Sequence, residues 1–477
     1  MRKTLNHHEL NINYQEGKLD DDFYISVLED PYSVRNLYYR DNLGEPYSAI
    51  ESALKILDDN SPDIFKLNVR LLENPHSIIN ASIFTSSQFS GNIDYFASSV
   101  LNLSFSASVK ILSHANNFNA LYEYIHNNEA DKISKGFLFA FTFCAIKKAV
   151  EFDPFHFIKN IPSIDEKEKI FVENIFRANK KNKEYKLKKS IKSKLKIALF
   201  VSGQVRSDLS IHENLPGMLV GDDDNQVDLF FSSWRKKGVS KISEAKSPRF
   251  FTKEARDLVA DNLGGMQNLN LDYFNSLLFE RINRLDIDEV ESSFSFCENK
   301  FINIDDESCP PFSEMSNPEK MYYHNSSWVN KLGEDYFSEY DLVIKIRPDI
   351  ELKSFSPQKV LDKISDFEFM TDYKGEWIYK IWGLGVGDQV LMSSPNVMTG
   401  LLGMYSLSRQ DAFSKKLLVD LKQPPYSGHV NLAIRALELG YKPIENHCFS
   451  IALHDGYKFS KEDVSYYLRD RALLDVK

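Results

Sequence analysis

The segment from Tyr340 to Glu351 constrains the fold of this chain more than any other. Its first part, Leu342 to Ile346, is apolar or β-branched at four of five positions, which is typical of a buried strand. Pro348 cannot donate to a sheet ladder, so the strand ends there and charged residues follow at its carboxyl end. In open α/β sheets this is where ligands bind. The alternative is a plain ion pair between Arg347 and Asp349.

Length and composition set the broad class. A chain of 477 residues with 43% hydrophobic residues is large enough for two or three packed domains. The net charge of −10 argues against general nucleic-acid binding, which needs a surplus of Lys and Arg. The four cysteines have no close metal-ligand spacing, and no signal-peptide core or run of about 20 apolar residues is present. We therefore expect a cytoplasmic protein without disulfides, structural zinc or a membrane span.

The pattern along the chain predicts three parts. Residues 1–178 show apolar residues at helical spacing, for example at 49–57, 67–72, 96–112, 121–125 and 137–150, and predict a helical scaffold or partner-binding domain. Residues 179–195 predict a linker, since nine lysines lie between Lys180 and Lys196. The alternative for this stretch is a patch that touches anionic lipid or a polyanionic acceptor, with at most a peripheral contact at the inner membrane face.

Residues 196–477 predict an α/β domain. Apolar runs of strand length occur at 196–201, 227–231, 342–346 and 389–392, and helical patterns lie between them, the clearest from Pro318 to about Phe337 and from His429 to Leu439. Strands that alternate with helices indicate a mostly parallel sheet. All four tryptophans fall in this part, which is where we expect any chemistry.

Two loops of this domain carry candidate ligand-binding groups. After the first strand, Gly203 allows close backbone approach to an oxyanion, and Arg206 can bind phosphate in a two-pronged way. The loop lacks the G-K-[ST] ending of a P-loop and the three spaced glycines of a dinucleotide fingerprint. It is equally compatible with an ordinary strand-to-helix turn.

The second loop surrounds Asp388. An acid directly ahead of a strand, with Trp377, Tyr379 and Trp382 nearby, has the composition of a carbohydrate site, in which the carboxylate acts as a general base. The alternative is a capped turn beside core tryptophans. His447 and His454, each with acids nearby, are candidate ligands for a cation or diphosphate, with structural histidines as the alternative.

Taken in order, four motifs resemble those of bacterial GT-A-type glycosyltransferases that build surface polysaccharides such as capsule or lipopolysaccharide. The matching segments are Ser202–Arg206, Asp228–Trp234, Tyr340–Asp349 and Gly387–Gln389. The resemblance covers about Lys196 to Tyr457. It implies a Rossmann-like domain that transfers a sugar from a nucleotide-sugar donor to a hydroxyl of a glycan or lipid-linked acceptor.

The resemblance also implies roles for individual residues. Asp388 and Asp349 are the expected catalytic residues. The expected substrate-binding residues are Ser202, Gly203, Gln204, Arg206, Trp234, Lys345, Arg347, Trp382 and Gln389.

The chain departs from the family at its metal-binding motif. Most members carry Asp-x-Asp, whose carboxylates bind a divalent cation such as Mn²⁺ or Mg²⁺, whereas Arg347 occupies the first acidic position here. Either Asp349, Glu351 and His454 bind the cation, or Arg347 itself offsets the diphosphate charge. Two other functions stay open: a non-enzymatic adaptor with a degraded transferase domain, and a polysaccharide-modifying phosphotransferase.

Overall fold

The computed structural model describes residues 101–470, apart from short stretches inside that range. These stretches are 102, 104, 114–117, 128–132, 149, 180–193, 207, 222–223, 239–249, 282–283, 316, 373–377, 380–382, 404–428, 445, 447, 455 and 457. The helices predicted at 49–57 and 67–72 and most of the lysine-rich stretch lie outside the described residues. The division into three parts therefore stays a prediction.

Helices occupy the first described part of the chain. Their bounds are α1 Phe105–Leu112, α2 Phe118–Asn127, α3 Lys135–Lys148, α4 Pro154–Lys159 and α5 Glu166–Asn179. The helices predicted around residues 121–125 and 137–150 are confirmed by α2 and α3. Helix α3 is central to this group, because every residue from Gly136 to Ala145 is buried, as expected for a helix that is apolar on all sides.

Strands and helices alternate after residue 195. The strands are β1 Lys196–Ser202, β2 Gln226–Trp234, β3 Lys300–Asp305, β4 Leu342–Ile346, β5 Ile350–Ser354, β6 Glu368–Thr371, β7 Ile378–Tyr379, β8 Gly383–Leu384, β9 Val390–Ser393, β10 Lys442–Ile444 and β11 Ser450–Leu453. The helices are α6 Leu215–Leu219, α7 Lys253–Leu263, α8 Leu271–Arg281, α9 Ile287–Ser293, α10 Asn317–Leu332, α11 Pro357–Leu361, α12 Pro395–Leu402, α13 His429–Leu439 and α14 Lys461–Asp470.

Seven of these strands form one sheet in the order β10-β6-β9-β4-β1-β2-β3. Strand β9 is antiparallel to both of its neighbours, and the other pairs are parallel. The prediction of an α/β, mostly parallel sheet is confirmed. The edge strand β10 contains Pro443, which fits an edge because proline cannot donate to a ladder.

The strand order reverses beside β1, which has β2 on one side and β4 on the other. Such a reversal is a topological switch point, and ligands of open α/β sheets bind in the crevice outside the carboxyl ends of the strands there. The parallel register aligns those ends, since Ser202 pairs with Ser232 and Val201 with Ile346. The loops after β1 and β4 must therefore meet at one edge.

The two faces of the sheet pack against different helices. Ala198, Phe200 and Phe230 join a cluster of buried apolar residues that continues through α1 to α5. The alternate positions Ile197 and Leu199 face a second cluster on the other side, as the two-residue period of a strand requires. The described helices before residue 180 thus share a core with one face of the sheet.

The helix predicted from Pro318 to about Phe337 is shorter in the structure. Helix α10 ends at Leu332, Gly333 has a φ of 83°, and a 3₁₀ helix follows at Glu334–Glu339. Gly333 adopts this left-handed conformation without steric cost, which breaks the helix there. Within the described residues, no helix has the length and apolar character needed to cross a membrane.

Candidate active site

The loop after β1 packs against the loop after β4, as the switch point requires. A Cβ at Gly203 would lie 3.6 Å from the Cδ of Pro348, and the φ of Gly203 is +123°, which strongly favours glycine. The N–H of Gly203 donates to the carbonyl of Ser232 at 3.0 Å. This N–H is therefore bonded within the protein, and a ligand-binding role for the loop stays a prediction.

The ion pair that the sequence allowed at the end of β4 is present. Arg347 donates to Asp349 through Nε at 2.9 Å and through a terminal nitrogen at 2.5 Å, and a terminal nitrogen of Arg206 lies 3.4 Å from the second oxygen. The Asp349 side chain is 1% exposed, but those of Arg347 and Arg206 are 19% and 34% exposed. Burial opposes the charge on Arg347, yet Asp349 outweighs it and raises the pKa of Arg347. Two partly exposed cationic groups thus contact one buried carboxylate at the carboxyl ends of β1 and β4.

Two histidines hold the segment after β4 from the protein side. The Nε2 of His212 lies 3.2 Å from the Pro348 carbonyl, and because a carbonyl can only accept, Nε2 carries the proton. Burial lowers the pKa of His212 to about 4, so its ring is neutral at pH 7. The backbone N–H of His454 donates to the carbonyl of Asp349 at 2.9 Å. No sequence motif marked His212.

The turn before β9 is built around Asp372. Oδ1 of this carboxylate accepts the N–H groups of Gln389 and Val390 at 3.0 and 3.1 Å. A Cβ at Gly387 would lie 2.5 Å from the same oxygen, so only glycine fits without a shift. Burial raises the pKa of Asp372. Gly387 therefore has a structural explanation that does not depend on a ligand.

The Asp388 side chain lies in a charged, buried environment beside this turn. Its Oδ1 is 3.6 Å from Nδ1 of His429, and Lys345 donates to its backbone carbonyl. Burial alone would raise the pKa of Asp388, but His429, Lys345 and Arg347 together lower it. Burial also lowers the pKa of Lys345 to about 8. The Asp388 residue is 7% exposed. Sequence analysis identified its neighbour His429 only as the first residue of a helix.

Some predicted substrate contacts are buried in the structure. Trp234 is only 3% exposed and packs in an aromatic cluster, with its ring 4.1 Å from that of His324 and 5.2 Å from that of Phe312. Lys345 is fully buried, and Ser202 is 1% exposed with its hydroxyl bonded to Asn325. In this structure the three side chains are buried inside the protein, and their contact with a ligand stays a prediction.

Two of the remaining predicted substrate-binding residues are described by the structure, and the others are not. Gln204 and Gln389 are partly exposed in the loops after β1 and before β9. The side chains of Trp377, Tyr379 and Trp382 and the residue His447 lie outside the described part of the chain.

The proposed metal ligands are not arranged as a ligand set. His454 and Glu351 are paired, with Nε2 2.9 Å from Oε2, but both oxygens of Asp349 are directed to arginines. Within the described residues, no group of three or more His, Cys, Asp or Glu side chains is placed to hold a metal ion. In this arrangement Asp349 is bonded to arginine, and the metal site predicted from Asp349, Glu351 and His454 is not shown.

Comparison with known proteins adds little. No protein-family model matches the chain, and neither does any curated protein. Among solved structures, it is similar to the crystal structure of the galactosyltransferase LgtC in complex with donor and acceptor sugar analogs, at 12% identity and a TM-score of 0.24. The match covers 52% of this chain and 72% of that one.

Proposed function

We propose that this protein is a glycosyltransferase that transfers a sugar from a nucleotide-sugar donor to a hydroxyl of a glycan or lipid-linked acceptor. The observation that carries the proposal is the meeting of two arginines at the switch point of the sheet. Arg206 follows β1, Arg347 follows β4, and both share Asp349. A guanidinium pair at the carboxyl edge of a parallel sheet suits a diphosphate, since planar guanidinium groups bind phosphate in a two-pronged way.

In this mechanism Arg347 and Arg206 hold the donor diphosphate and stabilise the negative charge that develops on it as the bond to the sugar breaks. Asp349 does not contact the donor. It is buried and bonded to Arg347, so it fixes the direction of that guanidinium before the ligand arrives. Pre-orientation of this kind reduces the entropy lost on binding.

Asp388 is the candidate base for the acceptor hydroxyl. Its carboxylate is ionised, because the nearby cations hold its pKa below the ordinary value. A low pKa makes the carboxylate a weak base, so its contribution depends on close contact with the acceptor hydroxyl. Asp388→Asn tests this role: we expect sugar transfer to fall at least about 100-fold while nucleotide binding is retained. Near-normal transfer by this variant removes Asp388 from the mechanism.

The nucleotide is tested by thermal unfolding with UDP, GDP, CDP and dTDP. A ligand that binds only the folded protein raises its stability, by about 2.7 kcal/mol at 100 times Kd. We expect at least one nucleotide to raise the melting temperature. Incubation with the corresponding nucleotide sugars and a glycan acceptor, followed by mass spectrometry, then identifies the product and separates sugar transfer from phosphate transfer.

One observation favours a second candidate, a non-enzymatic adaptor. The only acid left in the Asp-x-Asp position is Asp349, and both of its oxygens already bind arginine. In this case the helices before residue 180 bind a partner and the crevice binds no nucleotide. The absence of a thermal shift with all four nucleotides supports the adaptor and contradicts the transferase.

A further inference from the structure

Two serines are paired near the carboxyl ends of β1 and β2. Ser202 and Ser232 are paired in the parallel register. The hydroxyl of Ser202 donates to Oδ1 of Asn325 at 2.6 Å, and the hydroxyl of Ser232 lies 2.6 Å from Nδ1 of His324. Consecutive residues of helix α10 thus bind consecutive strands of the sheet.

This polar layer occupies a place where the core could be apolar. Ser202, Ser232 and His324 are at most 1% exposed and Asn325 is 7% exposed. The Nε2 atom of His324 is buried with no hydrogen-bond partner, which costs stability. Burial lowers the pKa of His324 to about 3, so the ring is neutral at pH 7. Stability does not explain a buried polar layer that contains an unpaired nitrogen. Buried polar groups without partners are expected at functional sites.

The layer is connected to the candidate site through Ser232. The carbonyl of Ser232 accepts the N–H of Gly203, while its hydroxyl is bound to His324. Three residues after Gly203, the guanidinium of Arg206 reaches Asp349. A continuous series of contacts thus leads from helix α10 to the loop that contains Arg206.

We infer that His324 and Asn325 are positioning residues that hold the loop from Gly203 to Arg206 at the nucleotide site. They touch neither donor nor acceptor, and they act through the two serines. The expected effect of these residues on nucleotide affinity rests on the proposed function. Their expected effect on the loop does not depend on any ligand.

The chain contains a matched control for this inference. Ser233 follows Ser232 on the same strand and is also 0% exposed, but its hydroxyl makes only a 3.5 Å contact with the carbonyl of Trp234. Alternate residues of a strand face opposite sides of the sheet, so Ser233 faces away from His324. Ser232→Ala and Ser233→Ala therefore each remove one buried hydroxyl oxygen. Only Ser232→Ala removes a hydrogen bond to helix α10.

The test has two readouts. Hydrogen exchange without nucleotide measures the loop: we expect the amides of residues 204–206 to exchange about tenfold faster in Ser232→Ala, and within twofold of wild type in Ser233→Ala. Titration with UDP, GDP, CDP and dTDP measures the site: we expect the Kd to rise about tenfold in Ser232→Ala only. Ser232→Thr keeps the hydroxyl and should restore both values.

The outcomes separate the two claims. Equal exchange and equal affinity in the two alanine variants overturn the positioning role. Faster exchange confined to Ser232→Ala, with no nucleotide bound by any variant, supports the positioning role and contradicts the proposed function. Asn325→Leu, which removes the acceptor of Ser202, should reproduce the faster exchange of the loop, and exchange at the wild-type rate overturns the part assigned to Asn325.

Discussion

Replacement of His212 by glutamine should make the stability of the protein less dependent on pH. His212 donates through Nε2 to the carbonyl of Pro348, between the two residues of the Arg347–Asp349 ion pair. The amide nitrogen of glutamine occupies a similar place and donates the same bond, but it does not titrate. The variant therefore keeps the contact and removes the proton equilibrium.

The size of the effect follows from the shifted pKa. The pKa of His212 is lowered from 6.5 to about 4 in the folded protein. As the pH falls below 6.5, the unfolded chain binds a proton that the folded protein excludes, so stability decreases until the pH passes about 4. Each pKa unit corresponds to about 1.4 kcal/mol, so between pH 7.0 and 4.5 the histidine lowers the unfolding free energy by about 2 kcal/mol.

Urea unfolding at the two pH values measures this difference. All four tryptophans lie in residues 234–382, so their fluorescence follows the unfolding of the α/β part. The decrease in unfolding free energy between pH 7.0 and 4.5 should be smaller in His212→Gln by about 2 kcal/mol. In His126→Gln, where the histidine is exposed, it should match wild type. Equal decreases in wild type and His212→Gln contradict the assignment of His212 as a buried neutral group.

Three other predictions concern the same region. Gly387→Ala should destabilise the protein by about 1 to 3 kcal/mol in urea unfolding, because its Cβ would lie 2.5 Å from an oxygen of Asp372, whereas Gly217→Ala, with no atom within 4 Å of its Cβ, should be neutral or stabilising. Asp349→Asn should lower the unfolding free energy by about 3 kcal/mol at pH 7, since it leaves arginines without their countercharge, and unchanged stability contradicts a structural role for the pair. The thermal shift produced by a nucleoside diphosphate should persist in excess EDTA, because the proposal assigns the diphosphate to arginines and not to a metal ion, and loss of the shift in EDTA contradicts that proposal.

The central strands of the sheet could be predicted from the sequence because each contains a local apolar run. Strands β1 and β4 are nearly continuous apolar runs, β2 contains the apolar run Leu229–Phe231, and all three strands are buried on both faces. Strand β3 was missed, since the alternating sequence Lys300–Asp305 is half-buried along its whole length at an edge. Strand β10 was missed because it has three residues and contains Pro443.

Only the parts of the candidate site that lie in short local motifs could be predicted from the sequence. The sequence marked the loops that contain Gly203 and Arg347 separately, and the strand order brings them together because parallel strands end at the same edge of a sheet. Nothing local marks His212 or Asn325, which meet Pro348 and Ser202 across 136 and 123 residues of sequence. The burial of Trp234 could not be predicted either, since a tryptophan at the end of a strand suits a ligand and a core equally well.

The central claim is that Arg347 binds a diphosphate at the switch point of the sheet. Its most direct test is calorimetric titration of wild type and Arg347→Lys with UDP, GDP, CDP and dTDP. Lysine keeps the charge but loses the planar fork that binds phosphate in a two-pronged way. We predict that wild type binds at least one of these nucleotides and that Arg347→Lys binds it at least about tenfold more weakly. Binding of equal strength by the two proteins, or no binding by wild type, contradicts the claim.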